Sequence, residues 1–158
     1  MGNIGREVAR LAEAFGCEVA YYSTSGVERD EVYNKLSIND LLNSSDVISI
    51  HCPLNDRTHN LIDAEELAMM KKSAILINVA RGGIVNEAAL AEALNSGNLR
   101  GAALDVFTSE PLRESPLYNL QDPYRLLTSP HNAWSSVEAI DRLIACIAGN
   151  IQEYITKK

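Results

Sequence analysis

The chain has 158 residues, 46% of them hydrophobic and 22% charged, with a net charge of -7. That length supports one domain with a true core, burying roughly 70% of its unfolded surface. The acidic balance and the lack of a Lys/Arg-rich run exclude nucleic acid and anionic membrane as natural partners. The three cysteines, Cys17, Cys52 and Cys146, are odd in number and widely spaced, which suits neither a disulfide framework nor a zinc site. No apolar run reaches the ~18 residues of a membrane span, and the opening residues lack a signal peptide's basic and apolar regions. A reducing cytoplasm is the expected setting.

In chain order, Gly2-Asn3-Ile4-Gly5 leads into Val8, Leu11, Ala12 and Phe15 at helical spacing, and Gly16 provides the stop. "CEVAYY" reads as a short strand. "SINDLLN" reads as a helix whose Ser37 and Asp40 suit a capping box, and "DVISIHC" as a buried strand. "DAEELAMM" predicts a helix opened by Asp63 with Glu66, "AILINVA" an apolar strand, and "NEAALAEALNSG" a helix starting near Asn86. "GAALDVF" and "RLLTSP" are further strands. From Ser135 a long helix carries Ile140, Leu143, Ile144, Ile147 and Ile151 on one face, a packing or dimer surface.

Apolar strands alternating with helices imply an α/β fold, a doubly wound parallel sheet covered on both faces. Loops after the carboxyl ends of its strands gather at one edge, where such sheets bind ligands. Four are unusually polar: "HCPLNDRT", "RGG", "DVFTSEP" and "SPHNAW".

Gly2 and Gly5 read as part of a glycine-rich turn that lets a pyrophosphate approach the start of a helix, or else as an ordinary turn. Arg81, beside two glycines, is either a solvated loop arginine or a planar fork for a carboxylate ligand. Glu110 alone would be a surface acid, and His131 a structural histidine. Taken together, the three make an anion clamp, a proton donor and a carboxylate that orients the imidazole and favours its protonated form. A metal site is unsupported, because His51, His59 and His131 have no i, i+4 pair and no Cys-x-x-Cys partner. Cys52, followed by Pro53, fits a backbone turn better than a nucleophile. Trp134 lines a pocket or caps the core.

"GNIG", "HCPLNDRT", "INVARGGIVNEAAL", "GAALDVFTSEP" and "SPHNAW", in this order and spacing, resemble the nucleotide-binding domain of the D-isomer-specific 2-hydroxyacid dehydrogenases. The resemblance spans nearly the whole chain and implies a Rossmann-like fold. "HNAW" with "YYSTSG" is most similar to the glycerate dehydrogenases that reduce hydroxypyruvate, with phosphoglycerate dehydrogenases close behind. The resemblance implies that Arg81 binds the substrate's carboxylate and carbonyl oxygen. It further implies that His131 protonates that oxygen as hydride arrives, and that Glu110 holds His131. Asp105 corresponds to the ligand of the nicotinamide carboxamide. Cys52, Pro53, Thr58, Val79 and Ala80 correspond to cofactor-lining turns, and Gly2, Asn3, Ile4 and Gly5 to the pyrophosphate loop. Glu110 argues against the formate dehydrogenase branch, which carries glutamine there.

Ser23 stands where NAD-preferring members usually carry aspartate for the ribose hydroxyls. NAD is the expected cofactor and NADP the alternative, with Arg29 the nearest candidate for a 2′-phosphate. In the family a substrate domain and the first strand of the sheet precede the glycine loop. Residues 1–158 are therefore expected to be the dinucleotide-binding domain truncated at its N-terminus, without its first strand, its first motif glycine or the substrate domain. The expected consequences are a homodimer or rearranged sheet that replaces the strand, and poor turnover of a small 2-hydroxy or 2-keto acid. The alternatives are a non-catalytic NAD-sensing module, as in the corepressor-like proteins of the same fold, and a remnant that no longer binds cofactor.

Overall fold

A computed structural model describes residues 1–27 and 32–157; Arg29 lies outside the described residues. The first helix, α1 (Asn3–Ala14), follows an extended Gly2 and ends before Gly16, whose φ of 82° is the left-handed turn expected there. Two-residue strands β1 (Ala20–Tyr21) and β2 (Asn34–Lys35) pair in parallel. Then come α2 (Ile38–Ser44), β3 (Val47–Ile50), α3 (Ala64–Met69), β4 (Ile75–Asn78), α4 (Glu87–Ser96) and β5 (Gly101–Leu104). Two 3-10 turns, Pro116–Asn119 and Pro123–Arg125, precede β6 (Leu126–Thr128) and the long α5 (Val137–Thr156).

The caps explain the helix starts. Asp63 and Glu66 form the capping box at α3, each side chain satisfying a backbone N–H the helix would otherwise leave unpaired. Ser37 accepts from the Asp40 amide at α2, but its hydroxyl also donates to the Asp40 carboxylate at 2.6 Å, so this is a local pair and not the reciprocal box expected. Asn86 accepts from two amides, Ala88 and Ala89, and Gly97 closes α4 at φ 73°.

The strands form two sheets, β1-β2 and β3-β4-β5-β6, all parallel, where the sequence predicts one. No described strand pairs with the outer edge of β3. Every second residue of β3, β4 and β5 is buried (Ile48, Ile50, Leu76, Asn78, Ala102 and Leu104), and the core they form includes Leu42 of α2, Leu67 of α3, and Leu90 and Leu94 of α4. The alternate residues are half-buried or exposed, so one sheet face is closely covered and the other only in part. In keeping with this, α5 buries no residue, and its apolar stripe, Ile140 to Ile151, faces outward.

Candidate active site

The parallel register puts the ends of β3, β4 and β5 side by side, so their loops converge. After β4, the buried Asn78 folds the turn: its Oδ1 accepts from the Ala80 amide at 3.0 Å and its Nδ2 donates to the Arg81 carbonyl at 2.9 Å. Arg81 is thereby held at the tip with an exposed guanidinium, of which one N–H donates to the Ala80 carbonyl at 2.6 Å. Among the described residues its other four N–H donors meet no acceptor.

A cleft of about 560 Å³ opens here, lined by Ile4, His51, Cys52, Pro53, Leu54, Val79, Ala80 and Arg81. It gathers six of the site residues expected from sequence, Ile4, Cys52, Pro53, Val79, Ala80 and Arg81, from the two loops after β3 and β4 and the start of α1. Burial pushes the Cys52 thiol up and the His51 imidazole down, so both are biased toward neutrality at the cleft wall. His51 Nε2 lies 2.9 Å from the Ser49 hydroxyl. Thr58 is fully buried and supports the turn from beneath: its hydroxyl donates to the Pro53 carbonyl at 2.6 Å and accepts from the Asn55 amide at 2.8 Å. Ser23 sits apart, after β1, with its hydroxyl 3.2 Å from that of Ser25.

Glu110 and His131 meet as a 2.6 Å pair, Nδ1 to Oε2. Hydrogen bonds from His131 and then from the Phe107 amide hold the Glu110 carboxyl below its ordinary range, against the opposing effect of burial. An ionised carboxylate only accepts, so His131 carries its proton on Nδ1. Nε2 has no hydrogen-bond partner among the described residues. Glu110 and His131 line a second cavity, of about 510 Å³, with Phe107, Pro111, Leu112 and Leu117 among its apolar walls.

Asp105, at the end of β5, is 3% exposed. Its Oδ1 accepts from the Ser129 hydroxyl at 2.6 Å and the Asn132 amide at 2.9 Å, and its Oδ2 from the Ala133 amide at 2.9 Å. Burial alone would raise its pKa; these bonds, with the His131 charge, outweigh that and lower it. The carboxylate therefore holds the chain on both sides of His131, through the Ser129 side chain before it and two backbone amides after it, and His131 adopts φ 52°. One acceptor position on Oδ2 stays open. Trp134 closes the loop by donating its indole N–H to the His131 carbonyl at 3.0 Å.

The Arg81 and Glu110 loops press together at Gly82, where an added Cβ would stand 1.9 Å from the Phe107 carbonyl oxygen. Nothing in the residue pattern marks Asn78 or Ser129, and Gly82 is marked there just as one of two glycines beside Arg81.

The cleft suits a dinucleotide. Among the described residues no side chain caps the start of α1, a Cβ at Gly2 would meet nothing within 4 Å, and the walls are mostly apolar with an arginine at one end. Residues 1–133 match the family model described as the D-isomer specific 2-hydroxyacid dehydrogenase, NAD binding domain. The chain belongs to this family. Among curated relatives, a glycerate dehydrogenase of Methylorubrum extorquens is 38% identical over 99% of this chain and 48% of its own length. A D-lactate dehydrogenase from Aquifex aeolicus, solved with NAD and lactic acid, superposes with a TM-score of 0.90 at 29% identity, covering 99% of this chain and 51% of that one. An NADPH-dependent glyoxylate/hydroxypyruvate reductase from Sinorhizobium meliloti, in complex with NADP and malonate, gives 0.78 at 33% identity over 87% of this chain and 42% of that one. The chain spans about half the length of the curated relatives it matches.

Proposed function

We propose that the chain is the dinucleotide-binding domain of an oxidoreductase that moves hydride between NAD(H) and a small 2-hydroxy or 2-keto acid, glycerate and hydroxypyruvate first among them. The observation that carries this reading is the Glu110–His131 pair, oriented with Nε2 unpartnered and joined to the Arg81 turn through the Gly82–Phe107 contact.

Reducing a keto acid requires a hydride at the carbonyl carbon and a proton at its oxygen. A nicotinamide cofactor, when bound, would supply the hydride. Arg81 grips the carboxylate with parallel N–H donors and draws charge toward the carbonyl oxygen. His131 delivers the proton from Nε2, and Glu110 steadies the imidazolium through Nδ1. Ile4, Cys52, Pro53, Val79 and Ala80 wall the cofactor, and Thr58 supports the turn they stand on. Gly2, Asn3 and Gly5 would let the α1 amides hold the pyrophosphate. Asp105, which seats the His131 loop, would accept from the cofactor's carboxamide. Ser23 would stand at the ribose; it carries no charge to repel a 2′-phosphate, but no arginine follows it immediately to bind one, so NADH is favoured over NADPH.

The setting proposed is the cytoplasm, supported by Cys17, Cys52 and Cys146 all being free thiols. A homodimer is proposed on the exposed apolar stripe of α5. Among the described residues no helix is long and apolar enough to cross a membrane.

The test is oxidation of NADH, followed at 340 nm, with hydroxypyruvate and the purified chain. Slow hydroxypyruvate-dependent turnover is expected, falling on the order of a further hundredfold or more in His131→Ala and Arg81→Ala. Equal turnover by all three proteins would contradict the assignment.

A further inference from the structure

Glu87 belongs to none of the roles assigned above, yet its carboxylate reaches across to the loop that carries Glu110. It is the first residue of α4, one past the Asn86 cap, and it is half-buried. Oε1 accepts from the Thr108 amide at 2.7 Å and Oε2 from the Ser115 hydroxyl at 2.8 Å. One carboxylate thus ties the two ends of a loop within which Glu110 lies. The Ser115 hydroxyl also accepts from the Leu117 amide, and Leu117 is buried in the core, so that end is anchored twice. At the other end, the peptide whose N–H Glu87 holds has its carbonyl against Gly82. The preceding amide, that of Phe107, donates to Glu110 Oε1 at 2.9 Å.

We infer that Glu87 is the positioning residue that sets Glu110, and through it His131, relative to Arg81. The inference rests on the reading of Arg81 and His131 as the substrate-facing pair. A carboxylate is well chosen because it offers two acceptors in a fixed plane to two donors from opposite ends of one loop. Glutamine preserves both contacts: its carbonyl accepts from Thr108, and its amide donates to the rotatable Ser115 hydroxyl. Alanine removes both. Aspartate is shorter and holds at most one end.

The experiment compares the wild-type chain with Glu87→Gln, Glu87→Ala and Ser115→Ala, each with labelled glutamate carboxyl carbons so that Glu110 is titrated by NMR. His131 and Asp105 are the ionisable groups acting on Glu110, and both are retained in every variant. Glu87→Gln also serves as the control for lost charge. Glu110 is expected to titrate alike in wild type and Glu87→Gln, and to move up toward the ordinary glutamate range in Glu87→Ala, as the Phe107 and His131 bonds loosen. A smaller shift in the same direction is expected in Ser115→Ala. NADH oxidation should show kcat lowered about tenfold in Glu87→Ala with KM for NADH unchanged, and restored in Glu87→Gln. An unmoved Glu110 midpoint in a folded Glu87→Ala overturns the inference. If that variant does not fold, an unmoved midpoint in Ser115→Ala does so instead. The titration needs neither cofactor nor keto acid. A chain whose Glu110 responds but which never oxidises NADH would defeat the catalytic reading while leaving the coupling of Glu87 to Glu110 intact.

Discussion

Asp105 is a buried charge facing three donors, an arrangement in which the donors as well as the carboxylate depend on being matched. Asp105→Asn keeps one acceptor oxygen but turns an amide N–H₂ toward a backbone N–H. It should cost about 1–3 kcal/mol, read as a lower urea midpoint at pH 7. The pH dependence follows from the direction of the shift. The folded pKa of Asp105 lies below its unfolded value, as does that of Glu110. The stability each contributes is complete above the unfolded carboxylate range of about 4 and is lost as pH falls through the folded values. The urea midpoint should therefore hold from pH 7 to 5 and drop below pH 4, with a shallower drop in Asp105→Asn. A midpoint independent of pH down to 3 would contradict this account of the loop. Gly82→Ala should be more damaging than Asp105→Asn, because backbone atoms and not a flexible side chain occupy the space. Glu110 and His131, taken together in sequence as a carboxylate and the imidazole it orients, meet in the fold as a 2.6 Å pair. The service of Asp105 to the 129–133 loop was not legible in sequence, because its partners lie 24 to 28 residues away and meet it only through the β5–β6 register.

At the level of elements, helix starts were readable wherever a polar cap preceded an apolar period. Asp63 with Glu66 and Asn86 with its two amides are instances. Asn86→Ala should destabilise the chain by about 1 kcal/mol, seen as a lower melting temperature, and should loosen the first turn of α4, where Glu87 resides. A stability loss without increased hydrogen exchange at Ala88 and Ala89 would place the effect elsewhere. Elements were missed where pattern is weakest. Asn34 and Lys35 form β2 with no apolar alternation, and β1 keeps only two residues of "CEVAYY" because pairing extends no further. The 3-10 turns at Pro116 and Pro123 begin at prolines, whose fixed φ suits a first helical position, but their length is below what periodicity detects.

For the molecule as a whole, the parallel sheet and its ligand edge followed from the alternation of elements, whereas its division into two sheets did not. Strand pairing is a long-range property, and β3 offers no sequence mark of being at an edge. The cleft is nonetheless assembled from α1, the end of β3 and the end of β4, so its integrity is the most direct reading of whether the architecture serves a dinucleotide. The decisive measurement is titration of the folded chain with NADH by fluorescence, with NADPH and an Ile4→Asp variant in parallel. Ile4 is 68% exposed, so aspartate there leaves the core untouched while setting a negative charge in the cleft. The account predicts saturable NADH binding, weaker NADPH binding, and a loss of about tenfold or more in Ile4→Asp, equivalent to about 1.4 kcal/mol. A cooperatively melting chain that binds neither cofactor, or binds NADH equally well with Asp at position 4, would contradict it.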